Sequence, residues 1–284
     1  MTDAVAGKGT LKVAALQLNS QTDVGRNLER CRQLVEGAAQ AGAKLVVLPE
    51  NFAYLGPERG RVALAERFGD HSAPIQRALG RMARQNSVFL VGGGFPEVGG
   101  DPDRPFNCCA LFSPEGELLV RYRKLHLFDV DLPDGTTLRE SASTTAGAEL
   151  VVHPVAGFNL GLSICYDLRF PELYRGLVDL GADALLVPAA FTLQTGRDHW
   201  HVLTRARAIE SQSWVIAANQ WGRHGPGRAS YGHSLIADPW GTVVAECSDK
   251  VGFALAEIDR GQVEGVRRAL PCLSHRRLRT CGPA

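Results

Sequence analysis

The sequence predicts an α/β protein built as a four-layer α-β-β-α sandwich, with two stacked mixed sheets and helices outside. Three observations point there. Short apolar runs alternate with longer stretches of helical periodicity, as strands and helices do when they take turns along a chain. The two halves look alike: segments 42–49 and 181–188 each run apolar from a glycine to a proline, and Phe52 and Phe191 follow at the same distance. Each is followed later by a turn with Pro and then Gly, at Pro114 and Pro239. Two generic strand units would give that spacing as well; the sharper reading is two pseudo-equivalent sheets. No Pro- or Ser-rich linker divides the halves, so a single domain is expected.

The elements follow in order. Residues 11–18 read as a buried strand. Residues 26–41 are helical, because Leu28, Cys31, Leu34, Val35 and Ala38 share one face. Residues 44–48 form a strand stopped by Pro49. Residues 73–85 form a helix with Pro74 in its first turn, where the missing N–H has no partner to lose. Residues 87–91 are a strand, followed by three glycines. Segments 106–112 and 117–124 flank a Ser-Pro-Glu-Gly turn and read as a hairpin. Segments 151–155 with 159–165, and 234–237 with 242–246, read the same way. Residues 171–180 and 199–212 are helical, and 184–187 and 214–218 are strands. The tail after Arg260 is rich in arginine and packs or extends at the surface. The divisions are a flexible N-terminus at 1–10, a single folded domain at 11–260 and a tail at 261–284.

Composition narrows the function classes. The chain has 284 residues, 45% hydrophobic and 21% charged, enough for a sizeable core. A net charge of +1 gives no pull toward nucleic acid or an anionic membrane. No apolar run reaches the roughly 18 residues of a membrane-spanning helix. Residues 1–10 are small and polar and lack the apolar core of a signal peptide. The seven cysteines contain no C-x-x-C pair, so a zinc ribbon or redox motif is not indicated, and reduced thiols in the cytoplasm are expected.

Four polar residues stand at strand ends, where α/β sheets build their sites. Glu50 directly follows a buried strand, and an apolar rim there would raise its pKa toward general-base work. Lys124 ends a hairpin strand, and a solvated edge charge is its default. Cys165 ends one strand and precedes a turn and a helix, the setting that presents a nucleophile at an apex. A helix N-terminus and a nearby ammonium would both stabilise its thiolate. Glu140 lies in the loop between two hairpins. Other motifs are weaker. Gly92 to Gly94 lack dinucleotide-binding spacing. His199 and His201 lack the i, i+4 separation of a zinc helix, so no metal is assigned.

Together these residues resemble the nitrilase superfamily of carbon–nitrogen hydrolases. The resemblance covers residues 11–258 and rests on three separated motifs, at 48–52, 122–129 and 161–172. It implies that Glu50 is the general base, Lys124 the stabiliser of the tetrahedral intermediate and Cys165 the nucleophile. Glu140, 16 residues after Lys124, matches the family's frequent second glutamate. The Tyr166 backbone N–H is implied as an oxyanion donor, and no cofactor is needed. Segments 188–192, 205–210 and 229–234 resemble the Nit1-like branch, which includes deaminated glutathione amidases. His201 departs from that branch, which usually has Glu there. An α-keto carboxylate substrate calls for a basic pocket residue, and Arg169 is the candidate; Phe191 and Thr192 are assigned to the same pocket. The expected activity is hydrolysis of the terminal amide of a small α-keto acid amide, with deaminated glutathione giving 2-oxoglutarate and Cys-Gly. The alternatives are an ω-amidase acting on 2-oxoglutaramate, a nitrilase and a scaffold without turnover. The family's habit implies a homodimer through helix 171–180.

Overall fold

The computed structural model describes residues 9–70, 72–131, 135, 137–225 and 227–278. Most of the N-terminal stretch 1–10, and Cys281 in the tail, lie outside the described residues. The first half carries β1 (Thr10–Gln17), α1 (Val24–Gln40), β2 (Leu45–Val47), α2 (Glu58–Val62), α3 (Pro74–Asn86), β3 (Phe89–Glu97), β4 (Phe106–Phe112) and β5 (Leu118–Arg123). A small hairpin follows, β6 (Asp129–Asp131) and β7 (Thr137–Arg139). The second half carries β8 (Val152–Val155), β9 (Phe158–Leu162), α4 (Pro171–Asp179), β10 (Ala184–Ala189), α5 (Leu193–Ser211) and β11 (Trp214–Asn219). It ends with β12 (Trp221–Arg223), β13 (Ala229–Tyr231), β14 (Leu235–Ala237), β15 (Val243–Glu246), β16 (Gly252–Asp259), α6 (Arg260–Ala269) and α7 (Cys272–His275).

Two six-stranded sheets result, in the orders β16-β1-β2-β3-β4-β5 and β8-β9-β10-β11-β14-β15. Neighbouring strands run antiparallel, parallel, parallel, antiparallel, antiparallel in the first sheet. The second repeats that series. Local detail repeats too. Gly42 and Gly181, which lead into β2 and β10, both have φ 95°. α3 and α5 both end on a left-handed residue, Ser87 at φ 50° and Gln212 at φ 48°. The Pro114 and Pro239 turns close alike, with Gly116 N–H on Ser113 O and Gly241 N–H on Asp238 O. The chain is two copies of one plan.

Strand alternation explains the layers. Val13, Ala15, Leu45, Val47 and Val91 point to one side and share a buried cluster with Leu186, Val215 and Ala217. Ala14, Leu16, Val46, Leu48 and Leu90 point to the other and meet Cys31, Val35, Leu79 and Met82 of α1 and α3. β1 therefore lies on β11 and β3 on β10, while α1 and α3 cover one outer face and α4 and α5 the other.

Three differences from the sequence reading have physical causes. β3 does not stop at Val91 but runs through Gly92, Gly93 and Gly94. The glycines are there for close approach: a Cβ on Gly93 would press on Leu48 O and Pro188 and stand 2.8 Å from Pro49 O. α5 begins at Leu193, ahead of residue 199, because its first turn is polar and shows no apolar period. β16 is a strand the periodicity did not single out: it splits its side chains, Ala254 and Ile258 inward and Phe253 and Leu255 toward α1. The tail packs through α6, where Val263 is buried and Arg267 donates to Ala182 O and Gln212 O.

Gly93→Ala is expected to cost about 3 kcal/mol, the upper range for overpacking, because backbone oxygens cannot move aside as a side chain can. Gly100→Ala, with open space around it, is the near-neutral control in urea denaturation.

Candidate active site

The four residues at the strand ends meet. β2 ends at Val47, and the chain turns through Pro49 so that Glu50 enters the seam between the sheets, 4% exposed. Gly94 makes room for it, since a Cβ there would stand 2.7 Å from Glu50 Cγ. Glu50 Oε1 accepts from Lys124 Nζ at 3.0 Å and from Asn107 Nδ2 at 2.9 Å. Its Oε2 accepts from the Ala190 N–H at 3.0 Å, at the end of β10. The first sheet's carboxylate is thus held partly by the second sheet's backbone.

Lys124, just past β5, is 2% exposed. Its ammonium also donates to Glu140 Oε1 at 3.0 Å and Oε2 at 2.8 Å. Glu140 opens a 3-10 turn and accepts from the Phe128 N–H at 2.7 Å, so one carboxylate orients both the lysine and an aromatic of the pocket wall. Burial alone would pull the Lys124 ammonium toward neutrality, but the Glu140 and Glu50 charges more than offset it and hold it protonated.

Cys165 follows β9 and opens a 3-10 turn, Cys165–Arg169, ahead of α4. Its φ is 48°, a left-handed backbone that a non-glycine residue adopts only when its surroundings impose it. The imposing group is Asp167, which is fully buried. Its Oδ2 accepts from the Ile164 N–H at 2.9 Å and the Tyr122 hydroxyl at 2.6 Å. Its Oδ1 accepts from the His126 N–H at 3.1 Å and lies 2.7 Å from His126 Nδ1. Tyr122 and His126 flank Lys124, so Asp167 locks the cysteine's turn to the lysine's strand.

Two electrostatic expectations are corrected here. Burial does push the Glu50 carboxyl up, but the Lys124 ammonium and the hydrogen bonds from Cys165 and Asn107 outweigh it, leaving a pKa below the ordinary value. Burial pushes the Cys165 thiol well up, the Glu50 carboxylate adds to this, and Lys124 only partly counters it. The resting pair is a carboxylate and a thiol, not a carboxylic acid and a thiolate.

These groups floor a cavity of about 280 Å³. Tyr166, Arg169, Phe191 and Thr192, all assigned from the sequence, line it. The Arg169 guanidinium lies 5.0 Å from the Phe191 ring centre and 3.2 Å from His199 Nδ1. Sequence reasoning missed Asn107, Asp167, Phe128 and Arg228. Asn107 carried a signal, as a lone amide in an apolar strand; Arg228 sits in a polar loop and carried none. Glu50 and Glu140 face each other as metal-binding carboxylates do, but the Lys124 ammonium lies between them and supplies the positive charge a cation would bring.

A family model for carbon-nitrogen hydrolases matches residues 12–268. The chain belongs to that family. Deaminated glutathione amidase of Synechocystis sp. is 46% identical over 266 residues, 93% of this chain and 97% of the relative. The Homo sapiens protein of the same name is 43% identical over 271 residues, 93% of this chain and 82% of that one. The crystal structure of Saccharomyces cerevisiae Nit3, a member of branch 10 of the nitrilase superfamily, superposes with a TM-score of 0.86 at 32% identity, covering 96% of this chain and 100% of that one. This chain is therefore an enzyme, an amidase of the nitrilase superfamily. No helix among the described residues is long and apolar enough to cross a membrane.

A raised thiol pKa means less thiolate at any given pH. Thiolate ultraviolet absorbance, measured as the unsubstituted protein minus Cys165→Ala, is expected to be absent at pH 7 and to grow only above the ordinary thiol value of about 8.5. A full thiolate signal at neutral pH would contradict the resting state described.

Proposed function

We propose that this amidase hydrolyses the terminal amide of a small α-keto acid amide, deaminated glutathione foremost, through a thioester on Cys165. The observation that carries the reading is the meeting of Glu50, Lys124 and Cys165 at the floor of a cavity that also offers guanidinium groups. Glu50 takes the thiol proton as the sulfur bonds to the amide carbon. The carbonyl oxygen becomes an oxyanion facing the Lys124 ammonium and the Tyr166 N–H. Glu50 passes its proton to the departing nitrogen as the C–N bond breaks. A water then gives a proton to Glu50 while its oxygen adds to the thioester carbon. The C–S bond breaks and the proton returns to sulfur. Glu140 keeps Lys124 charged and in place throughout.

Charge in the pocket supports the substrate choice. Arg61 and Arg139 in the wall are already paired, with Glu58 and Asp131. Arg169 and Arg228 make no ion pair among the described residues. Deaminated glutathione carries two carboxylates, one beside the keto group and one on its glycine, and 2-oxoglutaramate carries one. We assign Arg169 to the keto-acid end and Arg228 to the glycine end. The test is release of 2-oxoglutarate from each substrate. Arg228→Ala is expected to raise KM for deaminated glutathione at least about tenfold, the value of a charge-assisted hydrogen bond. It leaves 2-oxoglutaramate within about twofold, and Arg169→Ala weakens both. Faster turnover of 2-oxoglutaramate by the unsubstituted enzyme would move the protein to ω-amidase.

The proposed setting is the cytoplasm, in keeping with six described cysteines that are all unpaired. The proposed assembly is a homodimer. α4 exposes no large apolar side chain of its own, Leu180 lying just past its end, whereas α5 exposes Val202 at 65% and Ile209 at 49%, seven positions apart on one face, with Trp240 exposed at 61%. We therefore widen the interface from α4 to include α5. Light scattering is expected to give twice the chain mass, and Val202→Glu with Ile209→Glu to give the monomer; a monomeric unsubstituted protein refutes the assembly.

A further inference from the structure

Behind the pocket wall lies a cluster that the amidase chemistry does not use. His201, on α5, turns away from His199: its Nε2 lies 2.9 Å from Glu246 Oε1, on β15. His233 reaches the same oxygen with Nδ1, at 2.5 Å. One ligand atom from each of the three residues falls within 4.8 Å of the others. Helical spacing alone hides His201, because its neighbour His199 is two positions away on the helix. The partners the fold supplies come instead from a loop and a strand far along the chain.

The surroundings hold these rings ready. His233 has φ 57°, a left-handed backbone that carries its side chain back over β15. Its ring stacks on Tyr231, centres 4.5 Å apart at 28°. Asp249 Oδ1 stands 3.3 Å from His233 Nε2, the nitrogen that does not face Glu246. A carboxylate on the far nitrogen of an imidazole fixes the ring and strengthens the near nitrogen as a donor, as in carboxylate–histidine–zinc arrangements. Two imidazoles and a carboxylate converging on one point suit a borderline cation such as zinc, with the remaining position left to water.

We propose that His201 Nε2, His233 Nδ1 and Glu246 Oε1 bind one divalent transition-metal ion of the zinc class. The ion replaces the imidazole protons now directed at Glu246 and ties α5 to β15. The tie bears on the pocket, because the His233 carbonyl accepts from Trp200 Nε1 at 2.7 Å and Trp200 packs on Phe191, ring centres 5.3 Å apart. The role is structural and lies outside the catalytic steps.

The experiment uses the full chain with Cys165→Ala, Cys272→Ser and Cys281→Ser, so that neither the pocket thiol, nor the one exposed among the described residues, nor the tail thiol can take the metal. Zinc is competed against a chromophoric chelator. The expected result is one zinc per chain, with affinity falling at least about tenfold in His201→Gln and in Glu246→Gln. Zinc at about a hundredfold excess over Kd is expected to raise Tm by about 5 °C. A zinc-edge anomalous peak between the three side chains in a soaked crystal of the unsubstituted protein gives a readout independent of any variant. Failure to bind zinc below about millimolar, unchanged affinity in His201→Gln, or an anomalous peak elsewhere overturns the site.

Discussion

The Lys124 ammonium, buried between Glu50 and Glu140, is the interaction on which the site depends. A lone ammonium out of water would give up its proton, and two carboxylates placed together would push one another toward neutrality. Placed together, the three settle as two negative charges and one positive. Burial first, and the remaining negative charge in addition, keep the neighbouring Cys165 protonated. The resting site therefore holds its proton on sulfur. In the mechanism proposed above, the thiol gives up that proton only on meeting a carbonyl.

The repeated plan explains how such distant residues meet. Glu50 follows the second strand of the first sheet's parallel core, and Ala190 follows the matching strand of the second. Because the sheets stack, β1 on β11 and β3 on β10, a side chain from one can accept a hydrogen bond from the backbone of the other. Gly93 and Gly94 let the sheets and the carboxylate approach where any side chain would keep them apart. The second copy has no carboxylate at its strand end; it supplies the N–H, and its preceding strand supplies the cysteine. A duplicated fold has been divided into complementary parts.

Much of this was legible in the sequence, for reasons that differ by residue. The paired apolar runs ending in Pro49 and Pro188 announced the two sheets, because strand burial leaves a plain signature. Glu50 and Cys165 could be suspected from strand ends alone. Lys124 could not, because its local pattern is that of any edge lysine; only the motifs around it raised it. Asp167 was hidden because a carboxylate's partners, here Tyr122 and His126, lie about forty positions away. Its work is visible only when the strands are assembled. The direction of the Glu50 shift was misread for the same reason: burial is a local property that a sequence reveals, while the ammonium that reverses it comes from another hairpin. His201 with His233 and Glu246 shows the same limit, since helical spacing says nothing about partners on a distant strand.

Glu50 comes with one sheet and Cys165 with the other, and this bears on the chain while it is still folding. A chain that has formed only its first sheet has Glu50 without Cys165. One that has formed only its second has an ordinary cysteine, without the partner that can take its proton. The site is therefore assembled all at once, with docking of the sheets.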